Sequence, residues 1–510
     1  MREGKRKGYE QRETDRHFRR EQERREMTRK ERRKADRRDR KKAGVKRVRN
    51  KEFARVTYIF VALFLGMMGY IVHFQIVKSQ ELVNSPYNAR KDSFAEQVIR
   101  GDILDRNGMV LARTVVAEDG TEVREYPYGS LFAHVIGYSE HGTSGLESVA
   151  NFELLTSNAF FLEKLKNEFQ DQKNHGDSVV TTLDLNLQQA ASDALGSLKG
   201  AVVVIEPGTG KILAMVSKPD FDPNLVDSNW DSLNSNENSV LLNRATQGQY
   251  APGSTFKVVT TLEYMRENLE EYPLYGYNCS GAIEKDGTTI SCFGGHVHGQ
   301  VSLADSLAYS CNASFCNIGL TLDVLGFRNT AKELLFDSKL PSVLPYSGSK
   351  FMLDDTDGSA AKMMTAMGQG QTQVSPYHMA LITCAIANGG VLMKPYLIDS
   401  VMNYTGQEVD KNLPKEYKTL MAADEAAELK KFMSGVVDYG TASVLSGQSY
   451  TAAGKTGTAE YSSDKEKDHS WFIGMTNVDN PELVISVIIE SADGAAKAVN
   501  VAKQVLDSYY

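Results

Sequence analysis

The chain has 510 residues, 41% of them apolar, which is enough for a sizeable core and about two to four domains. Its five cysteines are too few for a disulfide scaffold. The net charge of −7 hides two opposed parts: residues 1–55 carry 25 Lys/Arg against 11 Asp/Glu, about +14, and the remainder carries 33 against 54, about −21.

Residues 1–55 offer no apolar face, which predicts a disordered or frayed helical tail. So many arginines could serve nucleic-acid binding, but the next segment argues for a membrane role. Val56–Val77 (VTYIFVALFLGMMGYIVHFQIV) carries no formal charge and is flanked by Arg55 and Lys78. Its 22 residues suffice to cross a bilayer, which needs about 20. The preceding tail is too long, and lacks the small-residue cleavage site, for a removable signal peptide. A single-pass anchor follows. The positive-inside rule places residues 1–55 in the cytoplasm and everything beyond Lys78 outside the cell or in the periplasm. Basic residues beside the span also meet anionic lipid. No nucleic-acid partner is expected.

Residues 78–155 are expected to form a small β-rich pedestal. Arg100 to Leu111 (RGDILDRNGMVL) is predicted as strand, Asn-Gly turn, strand. His134–Tyr138 is predicted as a further strand, and Gly142–Glu147 as a turn.

From residue 156 to 510 the pattern predicts one α+β domain, an antiparallel sheet covered by helices. Asp184–Leu198 is predicted as an amphipathic helix. Ala201–Ile205 and Lys211–Val216 are predicted as strands of a hairpin; Gly208-Thr209-Gly210-Lys211 lacks the spacing of a phosphate loop. Strands at 451–461, 469–475 and 483–490 precede a helix from 495. The sheet would therefore draw its strands from both ends of the domain.

Within this domain, Ser254 and Lys257 stand three apart in Tyr250–Lys257 (YAPGSTFK). A helix starting near Ser254 puts both on one face, and Val258, Val259 and Leu262 predict its burial. Burial lowers the lysine pKa, so a neutral amine can take the serine proton. Ser-x-x-Lys also occurs at Ser347/Lys350 and Ser462/Lys465, in polar surroundings that read as loops. Two further motifs single out Ser254: Ser310-Cys311-Asn312, and Lys455-Thr456-Gly457, which occurs once. Ser-x-Asn recurs at Ser232/Asn234, expected in a polar loop.

The segments NRATQGQYAPGSTFK, SLAYSCNASFCNIGL, AMGQGQTQVSPYHMA, GKTGTAE and HSWFIG resemble the transpeptidase domain of penicillin-binding proteins, and RGDILDRNGMVLA resembles the pedestal motif of the monofunctional class B group. The resemblance implies a β-lactamase/transpeptidase-like fold on a pedestal with one N-terminal transmembrane helix. It implies a peptidoglycan D,D-transpeptidase that acylates Ser254 with stem peptides ending in D-alanyl-D-alanine, on lipid-linked or nascent glycan. It implies acylation by β-lactams and, as a partner, a multi-span glycan polymerase of the shape, elongation, division and sporulation type. Lys257 is then the base, Ser310 relays a proton to the leaving D-alanine, and Asn312 orients Lys257 and binds the substrate amide. Lys455 supplies positive potential that keeps Lys257 neutral and attracts the substrate carboxylate. Thr456 and Thr458 offer that carboxylate hydroxyls, and Gly457 leaves room for a substrate strand. The N–H groups of Ser254 and Thr458 are implied as the oxyanion hole, worth about 3–4 kcal/mol per donor in other enzymes.

The same residues could serve a D,D-carboxypeptidase or a β-lactamase; the anchor and pedestal argue against both. A β-lactam sensor would need a cytoplasmic effector domain, which residues 1–55 are too polar to form, and the intact set of three motifs argues against a pure division scaffold. No cofactor or metal is expected. His296 and His298 with Cys279 and Cys292 match no standard zinc spacing and read as a loop, with or without a disulfide. Cys311, Cys316 and Cys384 read as buried thiols. His469 and Trp471 are expected to pack beside the Lys455 strand, and Met363, Met364 and Met367 to lie in the core.

Overall fold

The computed structural model describes residues 14–23, 25, 28–74, 98–170, 172–459, 468–492 and 497–510. It divides into two compact units, Met1–Val83 and Asn84–Tyr510.

In the first unit Arg29–His73 is one continuous helix of 45 residues. The basic tail is thus helical from Arg29 and not disordered there. Arg, Lys, Glu and Ala have high helix propensity, and that suffices without an apolar face. Thr28 and Glu31 form a capping box at its start. Phe53–His73, 21 residues, is apolar and long enough to cross a membrane. Its large side chains, Phe60, Leu63 and Phe64 among them, are exposed, as a lipid-facing helix requires. Residues 75–77 of the expected span, and the start of the pedestal to 97, lie outside the described residues.

In the second unit the segment expected as a pedestal contributes strands to a six-stranded sheet. Its order is Glu408–Lys411, Ile398–Met402, Ser178–Thr181, Ile103–Leu104, Val110–Val116, Glu122–Glu125. The sheet does not end at the expected boundary of 155. Ser178–Thr181 lies at its centre, and a hairpin from 398–411 returns to extend it. That pairing spans over two hundred residues, so no local pattern announces it. Asp105 accepts from the N–H groups of Asn107 at 2.7 Å and Met109 at 2.8 Å, which fixes the Asn-Gly turn. His134–Tyr138 is not a strand: Ala133–Ile136 is a helical turn ended by Gly137 at φ 85°. Gly145–Val149, expected as part of a turn, is a second one. Runs of four or five residues are too short for their periodicity to separate the two states.

This short helix brings Glu147, completely buried, between two arginines. Arg100 Nε donates to its Oε2 at 2.6 Å and Arg124 Nε to its Oε1 at 2.7 Å. Arg100 also donates to Asn151 Oδ1 at 2.6 Å. Burial raises the Glu147 pKa, but the two guanidiniums outweigh it and hold the carboxyl below its usual range.

A second, five-stranded sheet is antiparallel, in the order Ala452–Ala459, His469–Thr476, Val484–Ile489, Gly200–Glu206, Lys211–Lys218. Its strands come from both ends of the domain, as predicted. Val484–Ile489 is buried at every position, and Gly200–Glu206 at all but its last. Such strands need cover on both faces, and helices provide it. Leu185–Leu195, capped by Asp184, and Ala498–Tyr509 pack together as one layer. Pro376–Ala387, with Pro at its first position and all twelve residues buried, runs through the core on Val484–Ile489 and Gly200–Glu206. Met363 and Met367 are buried, as expected of core residues, and Met364 packs against them half-buried.

Candidate active site

The three motifs meet at the edge of the five-stranded sheet. Gly253–Phe256 is a tight 3-10 turn that runs into the Lys257–Glu267 helix. Gly253 sits at φ +55°, and a Cβ there would lie 2.5 Å from Thr458 O, so a side chain is excluded on both counts. Its N–H donates to Gly368 O at 2.8 Å, and Thr255 Oγ1 donates to Pro252 O at 2.6 Å. Upstream, Trp471 Nε1 donates to Ala251 O at 3.0 Å, while Tyr250 and Arg244 both donate to Glu490 Oε1, at 2.6 and 2.8 Å. The turn that carries Ser254 is therefore fastened to the sheet on both sides.

Ser254 is half-buried and Lys257 is wholly buried, one turn further. The Ser254 hydroxyl has no hydrogen bond among the described residues. The Lys257 Nζ has three acceptors: Ser310 O at 2.8 Å, Ser310 Oγ at 3.2 Å and Asn312 Oδ1 at 2.7 Å. It also lies 5.3 Å from the centre of the Phe315 ring. Burial lowers the Lys257 pKa to about 8, against a smaller upward pull from nearby thiols. A neutral amine keeps two N–H donors and frees a lone pair, so losing one proton would leave Lys257 held by the second motif with a site for the Ser254 proton.

Ser310 occupies the left-handed region, φ +56°. Such backbone costs about 1–3 kcal/mol and persists only where its surroundings enforce it. Here it forms the corner between the Leu303–Ala308 and Asn312–Thr321 helices. Asn312 opens the second helix, with Cys311 as its cap, and its Nδ2 donates to Ser291 O at 3.1 Å.

Lys455 lies on Ala452–Ala459, the outermost strand of the sheet, whose free edge could accept a further strand. It is fully buried, and its Nζ donates to Thr456 O at 2.9 Å. Burial, and then the charge of Lys257, push its pKa well below the usual lysine range. The charge of Lys257 thus acts on Lys455, whereas the Lys257 pKa is lowered by burial itself. Gly457 packs against the motif turn: a Cβ there would meet Thr255 Cγ2 at 3.0 Å. Strand alternation turns Thr456 and Thr458 to the opposite face. Thr456 Oγ1 is engaged by Thr441 Oγ1 at 2.5 Å, while Thr458 is exposed. Trp471 pairs with Gly457 and His469 with Ala459, beside the Lys455 strand as expected.

Among the described residues the duplicate motifs do not assemble. Ser347 donates to Gln247 O at 2.8 Å from a loop, and Lys350 is exposed in an isolated bridge. Ser232 and Asn234 are exposed on the Val226–Asn234 helix, not in a loop. Ser462 and Lys465 lie outside the described residues. Gln369, unassigned in the sequence although its segment stands out, donates to Thr458 O at 3.3 Å. Thr441 had no local signal at all. Cys279 and Cys292 are free, with sulfurs 3.7 Å apart.

Residues 200–507 match the penicillin binding protein transpeptidase domain, and residues 100–179 the penicillin binding protein A dimerisation domain. The peptidoglycan D,D-transpeptidase PbpA of Mycobacterium tuberculosis is 31% identical over 494 residues, covering 90% of this chain and 99% of that protein. The imipenem acyl-enzyme complex of penicillin-binding protein A from M. tuberculosis superposes with a TM-score of 0.73 at 29% identity, covering 81% of this chain and 99% of that one. The D,D-transpeptidase domain of a peptidoglycan glycosyltransferase from Eggerthella lenta gives the same TM-score, 0.73, at 32% identity, covering 81% and 98%.

Proposed function

The chain belongs to the penicillin-binding protein transpeptidase family, and on that premise we propose how its own residues divide the reaction. It is a class B, serine-type peptidoglycan D,D-transpeptidase that β-lactams acylate. The Ser254 Oγ attacks the carbonyl of the penultimate D-alanine of a stem peptide, forming an ester as the bond to the terminal D-alanine breaks. The Ser254 proton passes to neutral Lys257 and, through Ser310, to the departing amine. An acceptor amine then attacks the ester and gives up a proton, which passes by the reverse route to Ser254 as it is released.

The observation that carries this reading is Lys257, buried one turn from Ser254 and held by Ser310 and Asn312. Asn312 fixes the amine and offers its amide edge to the substrate. Lys455 awaits the substrate carboxylate, whose charge would favour its protonated form against burial and the charge of Lys257; Thr458, and Thr456 on release from Thr441, supply hydroxyls. The N–H groups of Ser254 and Thr458 are assigned to the oxyanion hole. Gly457 leaves the edge strand open for the peptide.

The apolar Phe53–His73 helix supports a single-pass membrane anchor. We assign the basic segment to the cytoplasm, the catalytic domain to the outer side, and a multi-span glycan polymerase as the partner of span and pedestal. The chain is further assigned a pedestal from 78 to 155 and a penicillin-binding domain from 156 to 510, sharing the six-stranded sheet.

The test is an incubation of the full-length protein with a D-alanyl-D-alanine stem peptide and an amine acceptor. Mass spectrometry should find the acceptor joined to the donor with loss of D-alanine. Hydrolysed donor alone, at every acceptor concentration, would make the protein a carboxypeptidase.

A further inference from the structure

Four side chains from separate elements converge beside the second motif. Cys279 ends the Gly276–Cys279 strand, Cys292 follows the Thr288–Ser291 strand, and His298 precedes the Gly299–Ser302 strand. The fourth is Cys311, between Ser310 and Asn312. Their ligand atoms all lie within 4.8 Å of one another. The three thiols are buried and the imidazole is half-buried.

The separations are specific. Cys279 Sγ stands 3.7 Å from Cys292 Sγ and 3.5 Å from His298 Nδ1, and Cys292 Sγ stands 3.8 Å from Cys311 Sγ. A disulfide would need about 2.05 Å, and one bridge would still leave a third thiol. A tetrahedron with Zn–S of about 2.3 Å and Zn–N of about 2.0–2.1 Å has edges of about 3.8 Å between sulfurs and about 3.5 Å between sulfur and nitrogen.

We propose that Cys279, Cys292, His298 and Cys311 form a structural Zn²⁺ site. The soft, nitrogen-and-sulfur donor set, without a carboxylate, suits zinc over magnesium or calcium. Two of the sulfurs accept backbone N–H donors, Gly281 to Cys279 and Ser314 to Cys311, each at 3.4 Å, an outer shell that favours thiolate. The His298 ring lies flat against Tyr309, centroids 6.0 Å apart and 12° between planes, which fixes its orientation. Binding forms four metal–ligand bonds, releases up to three thiol protons to solvent and changes no oxidation state.

The site ties an outlying layer to the catalytic motif. The strands that carry Cys279, Cys292 and His298 bury few large side chains, and Cys279, Cys292, Cys311 and Ala313 form a small cluster apart from the main core. Ser291, next to Cys292, accepts the Asn312 side-chain amide at 3.1 Å. Zinc would hold both Cys311 and Cys292, and so position Asn312 from two sides. Asn312 in turn holds Lys257 at 2.7 Å. These four residues act as positioning residues.

The experiment uses the full chain purified in detergent from cells grown with added zinc. Elemental analysis should find about one zinc per chain, and X-ray absorption should give three sulfur and one nitrogen neighbour at the distances above. Wild-type protein stripped by a chelator and reloaded with cobalt should develop thiolate-to-cobalt charge transfer and tetrahedral ligand-field bands. Penicillin acylation should fall at least about tenfold on stripping and return with zinc but not with magnesium, a loss of more than about 1.4 kcal/mol in the barrier. Cys292→Ser and His298→Ala should lose the zinc, whereas Cys384→Ala should keep it. Metal-free protein that gives no cobalt bands, a Cys279–Cys292 disulfide in the purified chain, or zinc undiminished in both ligand variants would overturn the assignment. The wild-type measurements decide the matter if a variant fails to fold.

Discussion

The side chain of Asn312 accepts a hydrogen bond from Lys257 at 2.7 Å, joining the first and second motifs across 55 residues of sequence. Asn312→Ala removes that acceptor and leaves Lys257 held through Ser310 O and Oγ, without the anchor from the Asn312–Thr321 helix that fixes its aim at Ser254. General-base catalysis contributes about 10²–10⁴-fold in enzymes of many kinds. The variant should therefore acylate at least about a hundred times more slowly with a fluorescent penicillin, while its thermal unfolding shifts little. An unchanged second-order rate would remove Asn312 from the positioning of the base.

The pH profile tests Lys257 itself. Burial lowers its pKa to about 8. The amine is protonated and inert as a base below that value and neutral above it. The acylation rate should rise about tenfold per pH unit below about pH 8 and level off above it. A profile flat from about pH 6 to pH 9 would mean that the proton goes elsewhere, because an ordinary lysine near 10.4 would give a rise throughout.

The segment from Arg100 to Asn151 is held by a charge cluster that the catalytic motifs do not touch. Glu147 lies buried against Arg100 and Arg124, at 2.6 and 2.7 Å. Glu147→Gln keeps the shape and leaves two guanidiniums without a counter-charge. Breaking such a pair costs about 3–5 kcal/mol, which denaturant unfolding would read. The carboxyl pKa is held low in the folded state, so its contribution is full above the usual glutamate range and fades as pH falls through its folded value. The acylation rate of the folded variant should be unchanged.

What the sequence made legible follows from the range of the forces involved. Ser254 and Lys257 are one turn apart, and the strands near 201, 211, 452, 469 and 484 are short apolar runs bounded by turns. Local chemistry determines both, and both stand where expected. Glu147 gave no such signal, because its partners Arg100 and Arg124 meet it only after the pedestal folds. The return of 398–411 to the pedestal sheet is equally non-local. Cys311 reads as one more buried thiol along the chain; its neighbours Cys279, Cys292 and His298 are set by the crossing of three strands and a helix. The basic tail left two readings open, disordered or helical: lacking an apolar face, it has nothing to pack, yet its residue types favour helix by themselves, and it is helical from Arg29.

The central claim is that Ser254 is the nucleophile. The direct measurement is peptide mass spectrometry of the full-length protein after reaction with penicillin. One adduct should appear, on the peptide carrying Ser254, and Ser254→Ala should carry none while unfolding at the same temperature. An adduct on Ser310, Ser347 or any other serine, or labelling that survives in Ser254→Ala, would contradict the account.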